Sequence, residues 1–139
     1  MAGSASNVVE NRIINGFFLG QSVVVPTQLY VALFQGPPGE DGTVNEISST
    51  INTWYARQDL AQGGAVGTAF AAPTNGATSN LKVINFPAAT SSITITHCGI
   101  FDAATGGNML AYSDLAQPKT YEVNDIPSFP IGSITISVD

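Results

Sequence analysis

The residues with the widest chemical repertoire are adjacent: His97 and Cys98 are the only histidine and the only thiol in the chain. A cysteine beside a histidine can act as nucleophile and base, and both side chains ligate zinc. Their setting removes both options. Residues 92–100 read Ser-Ile-Thr-Ile-Thr-His-Cys-Gly-Ile, an extended pattern in which neighbours point to opposite faces. A single chain also offers too few ligands for zinc, so a metal at His97 would need three copies around a threefold axis. His97 is expected as a hydrogen-bonded core or interface histidine. Glu40-Asp41 form the only paired acids, but they sit in Gly36-Pro-Pro-Gly-Glu-Asp-Gly42, a breaker-rich loop with no apolar surroundings to create a general acid. Asp102, in Asp-Ala-Ala-Thr-Gly-Gly, has the chemistry to cap a turn. Arg57 follows Trp54 and Tyr55, where stacking on a ring is expected. No calcium loop, phosphate-binding glycine loop or Gly-x-Ser-x-Gly elbow occurs. The expectation is a protein without catalysis, metal or cofactor.

Charge narrows the partners. Ten acids face four bases, for a net charge of −6. Arg12, Arg57, Lys82 and Lys119 are scattered, so no basic stripe exists to neutralise phosphates, and neither nucleic acid nor an anionic membrane is an expected partner. Charged residues make up 10 % of the chain and apolar ones 44 %, against about 25 % charged in an ordinary domain. Such a surface suits a hydroxyl-rich β-protein or a subunit that hides area in an assembly. The single cysteine rules out an internal disulfide framework and points to a reducing cytoplasm. The first residues lack a signal-peptide pattern, and no apolar run is long enough to span a bilayer.

The elements that must position these residues are short strands. The run at 92–113 is a hairpin, with Ile93, Ile95, His97 and Gly99 on one side, Thr94, Thr96, Cys98 and Ile100 on the other, and a glycine-rich turn. Gln28-Leu-Tyr-Val-Ala-Leu-Phe-Gln35 is apolar on both faces, as in a central strand or one buried at a subunit contact. Further strands are expected over 54–60, 81–86, 119–124 and 132–138, with 125–130 as a proline-interrupted edge and 73–80 as a loop. Asn7 and Glu10 resemble a capping box, and Val9, Ile13, Ile14, Phe17 and Phe18 fall on one stripe, predicting a helix over about residues 6–18 ended by Gly16 or Gly20. That helix either plugs one end of the fold or docks on another subunit. The sum is all-β: a single-domain β-sandwich or jelly roll of about seven or eight short strands, with an N-terminal arm and helix over residues 1–20 and the β-domain over 21–139.

One ordered set of segments resembles a known family. Leu29-Tyr-Val-Ala-Leu-Phe34, Trp54-Tyr-Ala-Arg-Gln58, Asn85-Phe-Pro-Ala-Ala-Thr90, His97-Cys-Gly-Ile-Phe-Asp-Ala103 and Gly106-Gly-Asn-Met-Leu110 occur in that order. They resemble the small virion structural proteins of tailed bacteriophages: tail-fibre-like, head-fibre and capsid decoration proteins. Cys98 stands where that pattern carries an aromatic residue. The resemblance implies a β-sandwich that is oligomeric, a homotrimer by expectation, and fixed to the particle. The first expectation is a decoration (cement) protein on the capsid surface, assembled in the host cytoplasm and bound to the major capsid protein. The alternative is a tail-fibre, collar or baseplate component, with Trp54 and Tyr55 as candidates for sugar stacking. A carbohydrate-binding module is a more distant possibility. The candidate contact residues are Val9, Ile13, Phe17 and Phe18 of the helix and Pro37, Pro38, Glu40 and Asp41 of the loop.

Overall fold

In a computed structural model, which describes residues 4–138, the chain is all-β with one short α-helical segment and a 3-10 turn at Val66–Thr68. In chain order the elements are β1 (Ser4–Ala5), α1 (Asn7–Ile13) continuing as a π-helical turn (Ile14–Phe18), β2 (Tyr30–Phe34), β3 (Gln58–Asp59), β4 (Ala77–Ser79), β5 (Ile84–Asn85), β6 (Ile93–Phe101), β7 (Met109–Tyr121), β8 (Ser128–Phe129) and β9 (Thr135–Ser137). A five-stranded antiparallel sheet has the order β1-β7-β6-β2-β3, and two ribbons, β4-β9 and β5-β8, complete the strand pairing.

The central hairpin of β6 and β7 is the spine. β2, apolar on both faces, is an interior strand of this sheet, and both faces are buried within the chain. Val31 and Leu33 join Ile93, Ile95, Cys98 and Ile100 in the main core, which the ribbon residues Ile84, Phe86 and Ile134 cover. Ala32 and Phe34 face the other way and meet Phe101 and Met109 in a second, smaller core. The second layer is thus built from ribbons and turns rather than a second broad sheet.

The face assignment along β6 differs from strict alternation. Ile93 and Ile95 share the main core with Cys98 and Ile100, so the strand changes phase at Thr96. The cause is a register irregularity: Ile95 pairs Lys119 and His97 pairs Asp114, leaving residues 115–118 opposite Thr96 alone. That widening also admits Pro118, which has no N–H to give a ladder, so β7 runs unbroken to Tyr121 where separate strands were expected. Beyond Tyr121 the alternation predicted to 124 stops, because Asn124 adopts φ 72° and Asp125 Oδ2 accepts a bond from Glu122 N at 2.8 Å. The strand expected at 54–60 shrinks to β3, since Trp54 and Tyr55 both turn inward, at 7 % and 5 % exposure, and Tyr55 N bonds back to Asn52 O. The expected loop at 73–80 holds a two-residue hairpin: Thr74 and Ala77 exchange backbone bonds around Asn75-Gly76, the dipeptide that favours a type I′ turn.

Candidate docking surface

Arg57 organises the region below the hairpin turn. Its guanidinium forks onto Glu46, with Nε to Oε1 at 2.8 Å and Nη2 to Oε2 at 2.7 Å. Nη1 donates to the carbonyls of Ala103 and Gly106 at 3.0 and 2.7 Å, and the plane lies 3.5 Å from the Phe101 ring centroid. The stacking partner is therefore Phe101, from across the sheet, rather than Trp54 or Tyr55. Tyr55 Oη donates to Glu46 Oε1 at 2.7 Å and accepts from Leu33 N at 3.1 Å. Burial and the Glu46 charge push the Tyr55 hydroxyl far above its ordinary pKa. This network is architectural: it ties the loop before Ile47, β2 and the β6–β7 turn into one body. Trp54 and Tyr55 are consumed by the core and offer no open ring for a sugar.

His97 and Cys98 sit on opposite faces, as strand geometry requires. His97 accepts or shares a hydrogen bond with Thr96 Oγ1 at 2.8 Å, while Cys98 is buried and its thiol is pushed up to about 12, chiefly by desolvation. Among the described residues no three His, Cys, Asp or Glu side chains lie close enough to share a metal ion. No helix in the described chain is long and apolar enough to cross a membrane.

The loop at 36–45 is pinned. Asn45 Nδ2 donates to Pro37 O at 2.7 Å, and Asp41 Oδ1 accepts from Thr43 N and Thr43 Oγ1 at 3.1 and 2.8 Å, which holds its carboxyl below the usual range. Gly42 combines φ +71° with a Cβ position only 2.8 Å from Phe101 Cζ and 2.9 Å from Met109; no side chain fits there. Pro38 is buried under the loop, leaving Pro37, Glu40 and Asp41 facing outward. Glu40 Oε1 accepts from Tyr112 Oη at 2.7 Å, and that bond raises the Tyr112 pKa with help from the Glu10 carboxylate of α1. Loop and helix therefore meet at the same edge of the sheet.

The helix does not plug the fold. None of its residues is buried, in α1 or in the π-helical turn. Ser6, rather than Asn7, is the N-cap, and it makes no side-chain cap bond; its N–H bonds to Leu110 O at 2.9 Å, fixing the helix to β7. A second tether joins Arg12 Nη2 to Asp102 Oδ2 at 3.8 Å. Burial acts to raise the Asp102 pKa, but hydrogen bonds from Asn108 and the Arg12 charge outweigh it and lower it. The helical segment runs through Gly16 to Phe18 and reverses at Gly20, φ +64°. Residues 23–26 then return alongside it. Gly16 permits that return: a Cβ there would lie 2.4 Å from Val23 Cγ2. Helix and strap form one helical hairpin.

The hairpin is apolar and open. Val9 is half-buried and Ile13 is 37 % exposed, whereas Phe17 and Phe18 are 84 % and 78 % exposed and Val24 and Val25 are 74 % and 71 % exposed. Exposed apolar surface gathered on a single element makes it the candidate docking surface of the fold. The sequence stripe pointed to the helix but not to the strap at residues 23–26, the adjoining half of the surface.

The family model described as Podophage GP4 fiber I protein gp80 matches residues 4–137, nearly the whole chain. The chain belongs to this family. No curated protein matches it. Membership of the fibre family agrees with the resemblance to tailed-phage virion structural proteins and with the all-β fold. In this fibre-family chain the match spans both the helical hairpin and the β-domain, so the open apolar element lies within the matched region.

Proposed function

We propose that this protein is a non-enzymatic fibre-type appendage subunit of a tailed-phage virion, held on the particle through its N-terminal helical hairpin. The observation that carries this reading is the hairpin itself: a body with two closed cores leaves Phe17, Phe18, Val24 and Val25 open on one element. Burial of that element on a scaffold protein removes apolar area from water and supplies the driving force for docking. The pinned loop at the same edge adds Pro37, Glu40 and Asp41 as a polar rim beside an apolar centre, the usual anatomy of an interface. The fibre description favours a tail or collar position, with the neighbouring proteins of that appendage as partners, over a decoration protein on the major capsid lattice.

Copy number per particle tests the position, measured by quantitative mass spectrometry of purified virions against the major capsid protein. A few tens of copies or fewer fits an appendage, whereas hundreds would put the protein on the shell as cement. A Phe17→Ser/Phe18→Ser variant, folded by circular dichroism, tests the hairpin. It should drop out of particles assembled in cells lacking the wild-type chain, and normal incorporation would overturn hairpin docking.

A further inference from the structure

The hairpin has a counterpart on the same molecule. Between the helix and the β4-β9 ribbon runs a trench of about 770 Å³, walled by Val9, Ile13, Leu29, Phe70, Leu110 and Ile136. The hairpin tip, Phe17-Phe18-Leu19, lines no part of it and stays 84 %, 78 % and 61 % exposed. The trench is walled by the helix's N-terminal half and the tip lies at its other end, so one chain carries an apolar knob and an apolar hole that do not meet within it.

We infer that the occupant of the trench is the hairpin tip of a second copy of this chain, so that the subunits associate knob into hole. This goes beyond the docking reading above: a tip seated in a neighbouring copy is covered by that copy and not by a scaffold protein. The area is of the right scale. With about 150–250 Å² for a whole aromatic side chain, Phe17 and Phe18 at these exposures leave on the order of 300 Å² open, already at the size of the largest apolar patch on a typical monomer. Ile14, Leu19, Val24 and Val25, each half or more exposed, bring the hairpin toward the roughly 800 Å² that one partner contributes to a standard interface. The tip at 17–22, Phe-Phe-Leu-Gly-Gln-Ser, carries no charge, and the trench is mostly apolar, with Glu10 at the helix the one charged side chain on its wall. The chemistry of the bases argues against copies of this chain being held together by charge. Arg12 pairs with Asp102, Arg57 with Glu46, Lys82 Nζ with Ala61 O, and Lys119 lies over the Tyr121 ring. All four cations are engaged within the fold, and the contact between copies is apolar. Because knob and hole are different patches, copies can pair reciprocally in a twofold dimer or follow one another head-to-tail.

The test uses the full chain. Sedimentation should show the mass rising with concentration from one copy to at least two, and added salt should strengthen this association by screening the repulsion between copies of net charge −6. A Leu19→Cys copy mixed with a Val138→Cys copy (tip and trench, with buried Cys98 unchanged) should form an intermolecular disulfide under mild oxidation. The Phe17→Ser/Phe18→Ser variant should abolish it. A monomer at every concentration, or tip-to-tip cross-links without tip-to-trench ones, would sink the inference. If such a monomeric chain still enters particles through its hairpin, docking on the virion survives and self-association alone is wrong. Association that salt weakens would also overturn the inference.

Discussion

Replacing Arg57 by alanine removes three interactions at once. The bidentate pair with Glu46 is almost closed to water on the arginine side, with the two side chains 7 % and 23 % exposed. Breaking a fully buried pair costs about 3–5 kcal/mol and breaking a surface pair about 0–1. Glu46 keeps access to solvent after the change, so about 2 kcal/mol is appropriate here. Loss of the cation over Phe101 adds about 1 kcal/mol. The carbonyls of Ala103 and Gly106 lie on the hairpin turn and regain water, adding little. The expected loss is about 3 kcal/mol, which for a chain of this length lowers Tm by about 10 °C. Urea unfolding followed by Trp54 fluorescence and far-UV circular dichroism measures it. Arg57→Lys keeps the charge but loses the fork and the planar stack, and should recover less than half of the loss. A double-mutant cycle with Glu46→Gln should return a coupling of about 1–2 kcal/mol. If Arg57→Ala costs less than about 1 kcal/mol, or the coupling vanishes, the network does not hold the turn to the sheet and the reasoning fails.

Gly42→Ala must place a methyl group against Phe101 and Met109 at φ +71°, so a loss of about 2–3 kcal/mol is expected in chemical denaturation. Asn80→Ala strips the side chain that bonds Lys82 O, Pro130 O and Ile134 N at 2.8, 3.0 and 2.9 Å; about 3 kcal/mol should be lost, since these buried groups are left without partners. Native Cys98 should resist a thiol-specific reagent at neutral pH and react at once in denaturant. Its folded pKa lies above its unfolded value, so its contribution is complete below the ordinary thiol value of 9.0 and is lost as pH rises toward about 12. Asp102 has the opposite sign: its lowered pKa adds stability above 3.8 that is lost on acidification, which acid titration of the Asp102→Asn variant against wild type checks.

The sequence carried the strands whose burial is local and periodic. Residues 30–34 show their two-sided apolar pattern directly, residues 93–101 read as extended, and the glycine-rich turn between residues 101 and 109 announces the hairpin. Pairing that depends on the partner strand was not legible. The phase change at Thr96 arises from four residues of β7 facing one of β6, and nothing in the alternation of β6 itself signals it. Trp54 and Tyr55 alternate in sequence, yet both turn inward because a backbone turn at Asn52 overrides the local pattern. Asn75-Gly76 did carry a hairpin signal, hidden by the polar residues around it. For the docking surface, the spacing of Val9, Ile13 and Phe17 located the helix, but Gly16 read as a helix terminator when its role is to let Val23 approach. That contact joins residues seven apart through a reversal, beyond the reach of any periodicity.

The anchorage of the helical hairpin has a mechanical consequence. A load delivered at the hairpin enters the β-domain through Ser6 N to Leu110 O, through the pairing of β1 with β7, and through Arg12 to Asp102 at the β6–β7 turn. These three routes end on the central hairpin, whose β6 strand is bonded in turn to β2, the strand that the chain itself enters from the strap. A pull along the strands therefore loads many ladder bonds in parallel, in shear, rather than one after another as in unzipping. Tension on such a subunit is carried by its longest strands, while the small ribbons that close the core lie outside the line of force.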